Sequence, residues 1–187
     1  MNKPKNTRPD YILPALLLVA TGLRLWPLQA ASLYGDEPMS LFFSQQGLGS
    51  IMERFLNDKN PPFYFLLLHF WLKIFGVTAW AAKAFSALFN VATVAVVYCT
   101  GKRFMGARTA LVAGVLFMFA APQLFYALQI RAFSLVGLLA ASSLYMLFSL
   151  QQNPTWKKAA ALGALNLLML FAHYASVLAP VAQLVIL

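Results

Sequence analysis

The sequence predicts an all-α, polytopic helical membrane protein, and three observations carry that prediction. Of the 187 residues, 61% are hydrophobic and only 10% are charged, with a mean hydropathy of +0.71, whereas a water-soluble domain of this size needs more polar residues to cover its surface. The apolar residues fall in runs close to the roughly 20 residues that cross a bilayer as a helix. The 14 Lys and Arg, set against 5 Asp and Glu for a net charge of +9, sit in short clusters between those runs. That pattern marks membrane topology rather than a nucleic-acid surface, so no nucleic-acid partner is expected. The single cysteine, Cys99, lies inside an apolar run, which excludes an intramolecular disulfide framework and a Cys-based metal site.

The chain opens with Lys3, Lys5 and Arg8 ahead of the apolar run 11–30. A basic start before an apolar run resembles a signal peptide, but the run approaches spanning length and Ala30-Ala31-Ser32 is a weak cleavage site, so an uncleaved anchor is expected. In the external segment 31–60, Pro38 suits the first turn of a short amphipathic helix over 38–46, which Gly47 and Gly49 terminate. Ser50-Ile51-Met52-Glu53 fits a capping box that opens a second helix ending near Asn57-Asp58. Asn60-Pro61-Pro62 then forces an extended entry into the apolar stretch 61–76. Further spans are expected at 79–99, 109–128, 132–150 and 159–187, the last with a break near 173–180 where His173 and Pro180 interrupt it.

Whether 61–76 crosses the membrane sets the side of every later loop. If it crosses, Lys102, Arg103 and Arg108 face outward, against the positive-inside rule. If it lies in the interface or re-enters, those residues and Lys157-Lys158 share the cytoplasmic side with the basic start. The second arrangement is expected, with Lys73 snorkelling and Tyr64 and Trp71 at headgroup depth. It places the segment 31–60, Arg131 and His173 together at the outer face.

The side chains at that face have more than one use. A carboxylate of Asp36 or Glu37 can take a proton from a hydroxyl or amine, yet the same dipeptide suits a helix cap, whose N-terminal dipole weakens it as a base. Arg131 can hold a phosphate with forked hydrogen bonds or snorkel as an interfacial arginine, and Lys83 carries the same ambiguity. His173, followed by Tyr174, can ligate a metal or bond a phosphate, although a lone histidine is more often structural. His69 lacks a second ligand at helical spacing, and Met105, Met118, Met146 and Met169 read as packing residues.

Four segments occur in a telling order: Tyr34-Gly35-Asp36-Glu37, Asn60-Pro61-Pro62-Phe63-Tyr64-Phe65, Phe75-Gly76, and Ala127-Leu128-Gln129-Ile130-Arg131-Ala132-Phe133. Together they resemble the membrane glycosyltransferases of the GT-C superfamily, on the branch of the protein O-mannosyltransferases and aminoarabinose transferases, glycosyltransferase family 39-like. The likeness runs from about Leu28 to the end. It implies a transmembrane bundle with external juxtamembrane helices between the first two spans. It also implies Asp36 as catalytic base, Glu37 supporting it or binding a metal, Arg131 on the donor phosphate, and His173-Tyr174 matching the family's later His-Tyr pair. Lys83 is grouped with Arg131, His173 and Tyr174 at the donor phosphate, and Glu37 and His173 are the residues that a divalent metal ion, not required by the sequence, would use. Asn60 stands where many relatives carry His or Lys, and Leu128 and Gln129 stand where many carry an acid.

The function this implies is an inverting transferase that moves a sugar from a polyprenyl-phosphate carrier to a glycan, lipid or protein acceptor at the outer face of the cytoplasmic (inner) membrane. An inactive fragment or a noncatalytic membrane partner is the alternative, since the family's proteins are longer and the sequence stops inside an apolar run. A transporter would place ionisable residues at mid-span, and only Arg24 and Lys83, near span ends, come close.

Overall fold

A computed structural model describes residues 11–30, 32–57 and 61–186. The basic start with Lys3, Lys5 and Arg8, Ala31 of the cleavage candidate, Asp58 and Asn60 lie outside the described residues. Ten α-helices follow in order: α1 (Ile12–Leu25), α2 (Glu37–Gln45), α3 (Leu48–Asn57), α4 (Phe63–Phe75), α5 (Ala79–Phe104), α6 (Ala107–Phe119), α7 (Ala121–Ala127), α8 (Phe133–Gln152), α9 (Trp156–Ala172) and α10 (Leu178–Ile186). No strand is present among the described residues, and α5 and α8 are each long and apolar enough to cross a membrane. The protein is therefore an all-α membrane protein.

Helix α5 is the axis of the fold, packing against α1, α4, α6, α7 and α8. Its 26 residues make a rod of about 39 Å, longer than the hydrocarbon core of a bilayer. The Thr78 hydroxyl accepts the Ala81 N–H at 3.0 Å and caps its start, while Lys102 and Arg103 lie in its last turn, where cations favour the helix dipole. Buried Ala81, Ala82, Ala84 and Ala87 let neighbouring helices come close. The tightest approach is at Gly101, where an added Cβ would lie 2.8 Å from the Ala110 Cα of α6.

Helix α4 packs against α2, α9 and the start of α5. The Tyr64 hydroxyl shares a 2.9 Å hydrogen bond with Ser86, and the Trp71 indole donates to the Ala81 carbonyl at 2.8 Å. Its 13 residues span about 20 Å, short of a bilayer core. His69 donates from Nδ1 to the Ser44 carbonyl at 2.9 Å and ties α2 to α4.

Two expectations are corrected. The stretch 109–128, expected as one span, is two helices bent by 59° at Ala120. Pro122 has no N–H for the Met118 carbonyl four residues back, and its ring disfavours a continuous helix; it sits instead in the first turn of α7, where the missing donor costs little. The Ser50–Glu53 capping box does not open α3, which starts at Leu48 because Gly47 follows an extended Gln46 and offers its carbonyl to the Ile51 N–H at 3.1 Å. The stretch 159–187 is interrupted within the expected 173–180. His173 is extended, a short 3₁₀ turn covers Tyr174–Val177, and α10 folds back so that Asn166 donates to Gln183 at 2.9 Å and Gln183 donates to Ser143 of α8 at 2.7 Å. Pro180 does not break the chain; it lies in the first turn of α10.

Arg24 lies in the last turn of α1, the span end the sequence predicts. It is fully buried, donating to Asn90 Oδ1 at 2.7 Å, the Ala20 carbonyl at 3.2 Å and the Met118 carbonyl at 3.4 Å. The last of these is the acceptor that Pro122 leaves without a backbone donor. Asn90 passes the connection on to Gln123 of α7 at 3.1 Å.

Candidate active site

Gly35, with φ +57°, is in the left-handed region that glycine enters without strain. The turn it makes aims the Glu37 side chain back toward the chain that precedes it. Glu37 Oε2 accepts the Tyr34 N–H at 2.8 Å and lies 3.0 Å from Lys83 Nζ. Oε1 accepts the Ile130 N–H at 3.1 Å. Lys83 Nζ donates as well to the Ser32 carbonyl at 2.9 Å. One buried carboxylate thus joins the start of α2, the start of α5 and the loop between α7 and α8.

The residue before Glu37 and the residue after Ile130 are placed side by side by that clasp. Asp36 and Arg131 form an ion pair. The Asp36 side chain is 76% exposed and that of Arg131 27%, so the pair sits at the surface while Glu37 and Lys83 are enclosed. Asp36 makes no side-chain cap to α2; only its carbonyl serves the helix, accepting the Ser40 N–H at 3.0 Å. The Arg131 guanidinium lies 5.6 Å from the centre of the Phe133 ring, which also packs against Tyr126 and His173. A half-open cleft of about 190 Å³ is lined by Tyr34, Gly35, Asp36, Glu37, Gln129 and Arg131. It admits a phosphate or one edge of a sugar rather than a whole lipid-linked saccharide.

Of the residues singled out from the sequence, Asp36, Glu37 and Arg131 meet in this cleft. Lys83 does not line it, being buried against Glu37 and Ser32. His173 reaches the group only through Phe133; its Nδ1 accepts the Ala175 N–H at 3.2 Å and shapes the turn after α9. Tyr174 is half-exposed beside it. Among the described residues no three His, Cys, Asp or Glu side chains are arranged to hold a metal ion, and Glu37, named for that role, has both oxygens engaged. Gln129, Tyr34 and the backbone N–H of Ile130 were not singled out as site groups. They fall within the motif segments, but nothing in their residue type marks them.

A family model described as dolichyl-phosphate-mannose-protein mannosyltransferase matches residues 59–187, a stretch that includes Lys83, Arg131 and His173 and begins after Asp36 and Glu37. No curated protein and no solved structure matches the chain. Because the matched stretch covers more than half of the sequence, the chain belongs to the dolichyl-phosphate-mannose-protein mannosyltransferase family, a family of glycosyltransferases.

Proposed function

We propose that the protein is an inverting glycosyltransferase whose Asp36 and Arg131 work on a polyprenyl-phosphate-linked sugar at the outer face of the cytoplasmic (inner) membrane. The observation that carries this reading is the Asp36–Arg131 pair at the cleft, held in register by the buried Glu37. A carboxylate and a guanidinium side by side supply the two groups the reaction needs. The acceptor's hydroxyl or amine attacks the anomeric carbon of the sugar, the bond from that carbon to the phosphate oxygen breaks, and the electron pair leaves with the polyprenyl phosphate. Arg131 neutralises the charge on the departing phosphate through forked hydrogen bonds. Asp36 takes the proton that the acceptor loses.

Asp36 and Arg131 pair with each other, and a donor phosphate replaces Asp36 as the partner of Arg131. That exchange frees the carboxylate for the acceptor. The orientation rests on the basic clusters: Lys102 and Arg103 sit at the far end of α5 from Lys83, about 30 Å away at 1.5 Å per residue, which the positive-inside rule assigns to the cytoplasm. Helix α4, covering only the first turns of α5, then lies at the outer interface without crossing. On a Cys99→Ser background, a cysteine at Ser32 is expected to label from outside intact cells and one at Met105 only after permeabilisation.

The kinetic test is the donor dependence of sugar transfer in membranes carrying Arg131→Ala. Loss of a bidentate phosphate contact should raise the donor KM by about 30-fold or more, as expected for roughly 2 to 3 kcal/mol from a charge-assisted pair. An unchanged donor KM removes Arg131 from phosphate binding.

A further inference from the structure

Every ionised group that lines the cleft already has a partner. Arg131 pairs with Asp36, and Glu37 gives one oxygen to Lys83 and the Tyr34 N–H and the other to the Ile130 N–H. Gly35 has no side chain, and Tyr34 is 76% exposed. Gln129 differs from all of these. It lines the same cleft and is partly buried. Its backbone N–H is held by the Tyr126 carbonyl at 3.3 Å, yet among the described residues its side-chain amide has no hydrogen-bond partner. That amide offers N–H donors and a carbonyl acceptor together.

The backbone keeps Gln129 beside Arg131. Ile130, between them, is fully buried, and its N–H is tied to Glu37, so the two cleft residues flank one anchored position. Their Cα atoms are at most about 7 Å apart, the reach of two residues. A group that adjoins whatever Arg131 binds is therefore within reach of the Gln129 amide.

The chemistry of the donor identifies that group. The inference rests on the transferase reading, in which Arg131 holds the phosphate attached to the anomeric carbon. A cleft of about 190 Å³ takes in that phosphate and the adjoining edge of the sugar, not the whole ring. The anomeric carbon has two neighbours in the ring: the ring oxygen and the carbon that bears the 2-hydroxyl. The ring oxygen can only accept a hydrogen bond, and it gains positive charge as the bond to phosphate breaks, so an N–H aimed at it opposes the reaction. The 2-hydroxyl donates and accepts, which matches an amide, and hydrogen bonds to it strengthen as the transition state forms. A carboxylate in place of the amide would face the departing phosphate with a like charge, and an apolar side chain would leave the hydroxyl unpaired.

We propose that Gln129 is a specificity-determining residue that hydrogen-bonds the 2-hydroxyl of the donor sugar and selects it over the 2-deoxy sugar. The test follows radiolabelled sugar from polyprenyl-phosphate donors into the acceptors of membranes that carry the full chain, with membranes lacking it as the blank. The donors carry mannose, glucose or galactose, or the 2-deoxy sugars that correspond to them. The readout is the ratio of kcat/KM for a parent donor to that for its 2-deoxy counterpart, which does not depend on how much of a variant folds. Gln129→Leu should slow the parent donor and leave the 2-deoxy donor almost unchanged, so that the ratio falls about tenfold, the scale of one hydrogen bond. Asp36→Asn, measured beside it, should slow both donors alike and keep the ratio. A ratio unchanged by Gln129→Leu overturns the inference; the Asp36→Asn rate, slowed or not, then says whether the transferase reading stands or falls with it. A wild type that transfers none of the three parent sugars overturns that reading and this inference together.

Discussion

Two lysine and arginine side chains are buried among the described residues, Lys83 and Arg24, and they are compensated in opposite ways. Lys83 has a carboxylate, Glu37, at 3.0 Å. Arg24 has only neutral oxygens: the Asn90 amide and the carbonyls of Ala20 and Met118. The first pairing sits where the chain must gather three segments that are remote in sequence, and a full charge on each side holds them. The second sits at a broken helix, where a proline has removed a donor and a guanidinium, with several N–H groups in one plane, replaces it. A matched ion pair defines the cleft; a lone cation repairs the helix that leads to it.

Substitutions at the two sites should therefore differ in size. Glu37→Ala leaves Lys83 buried without a counter-charge and strips the acceptor from Tyr34 and Ile130, which should cost about 3 to 5 kcal/mol. Thermal unfolding in detergent should show the largest fall in melting temperature of any single change discussed. Glu37→Leu combined with Lys83→Met should recover much of it, since neither charge then remains. A double variant as unstable as Glu37→Ala would show that the backbone hydrogen bonds, not the charge, dominate.

Arg24→Met removes the charge along with its bonds, leaving the Asn90 amide and two carbonyls short of a donor. A loss of about 1 to 3 kcal/mol is expected, smaller than for Glu37→Ala. If Arg24→Met were the more damaging of the two, the repair of the α6–α7 break would be the stronger constraint on the fold. Gly101→Ala tests the bundle independently of either charge. The added Cβ meets backbone, which cannot swing aside, so α5 and α6 must part at a cost of about 1 to 3 kcal/mol.

The surface pair reverses the pattern. Asp36 is mostly exposed, and an exposed ion pair contributes under about 1 kcal/mol to stability. Changes there should leave melting almost untouched and still remove function, the signature of groups kept for chemistry rather than for folding.

Much of the helical layout was legible in the apolar runs and their terminators, because a bilayer demands long apolar helices whatever their packing. The break at Ala120 was legible in principle from Pro122, but an unbroken apolar run hid it. Arg24 is the span-end residue that the sequence indicates, but its burial was hidden because its partners are remote, Asn90 lying 66 positions on and Met118 94. Asp36 and Arg131 are 95 apart; the topology put both at one face and the resemblance gave them one site, but neither showed them paired. At Lys83 the sequence shows a cation near the end of a span but not the carboxylate of Glu37, from another segment, that lies beside it. The adjacency of Asp36 and Glu37 likewise hid that one points out and the other in.

The most direct test is sugar transfer by Asp36→Asn, measured beside its melting temperature. The amide keeps the size of the side chain and loses the base. The account predicts that transfer falls by at least about 100-fold, the usual scale for a general base, while melting stays within a degree or two of the wild type. Transfer at the wild-type rate from a folded Asp36→Asn protein would contradict it.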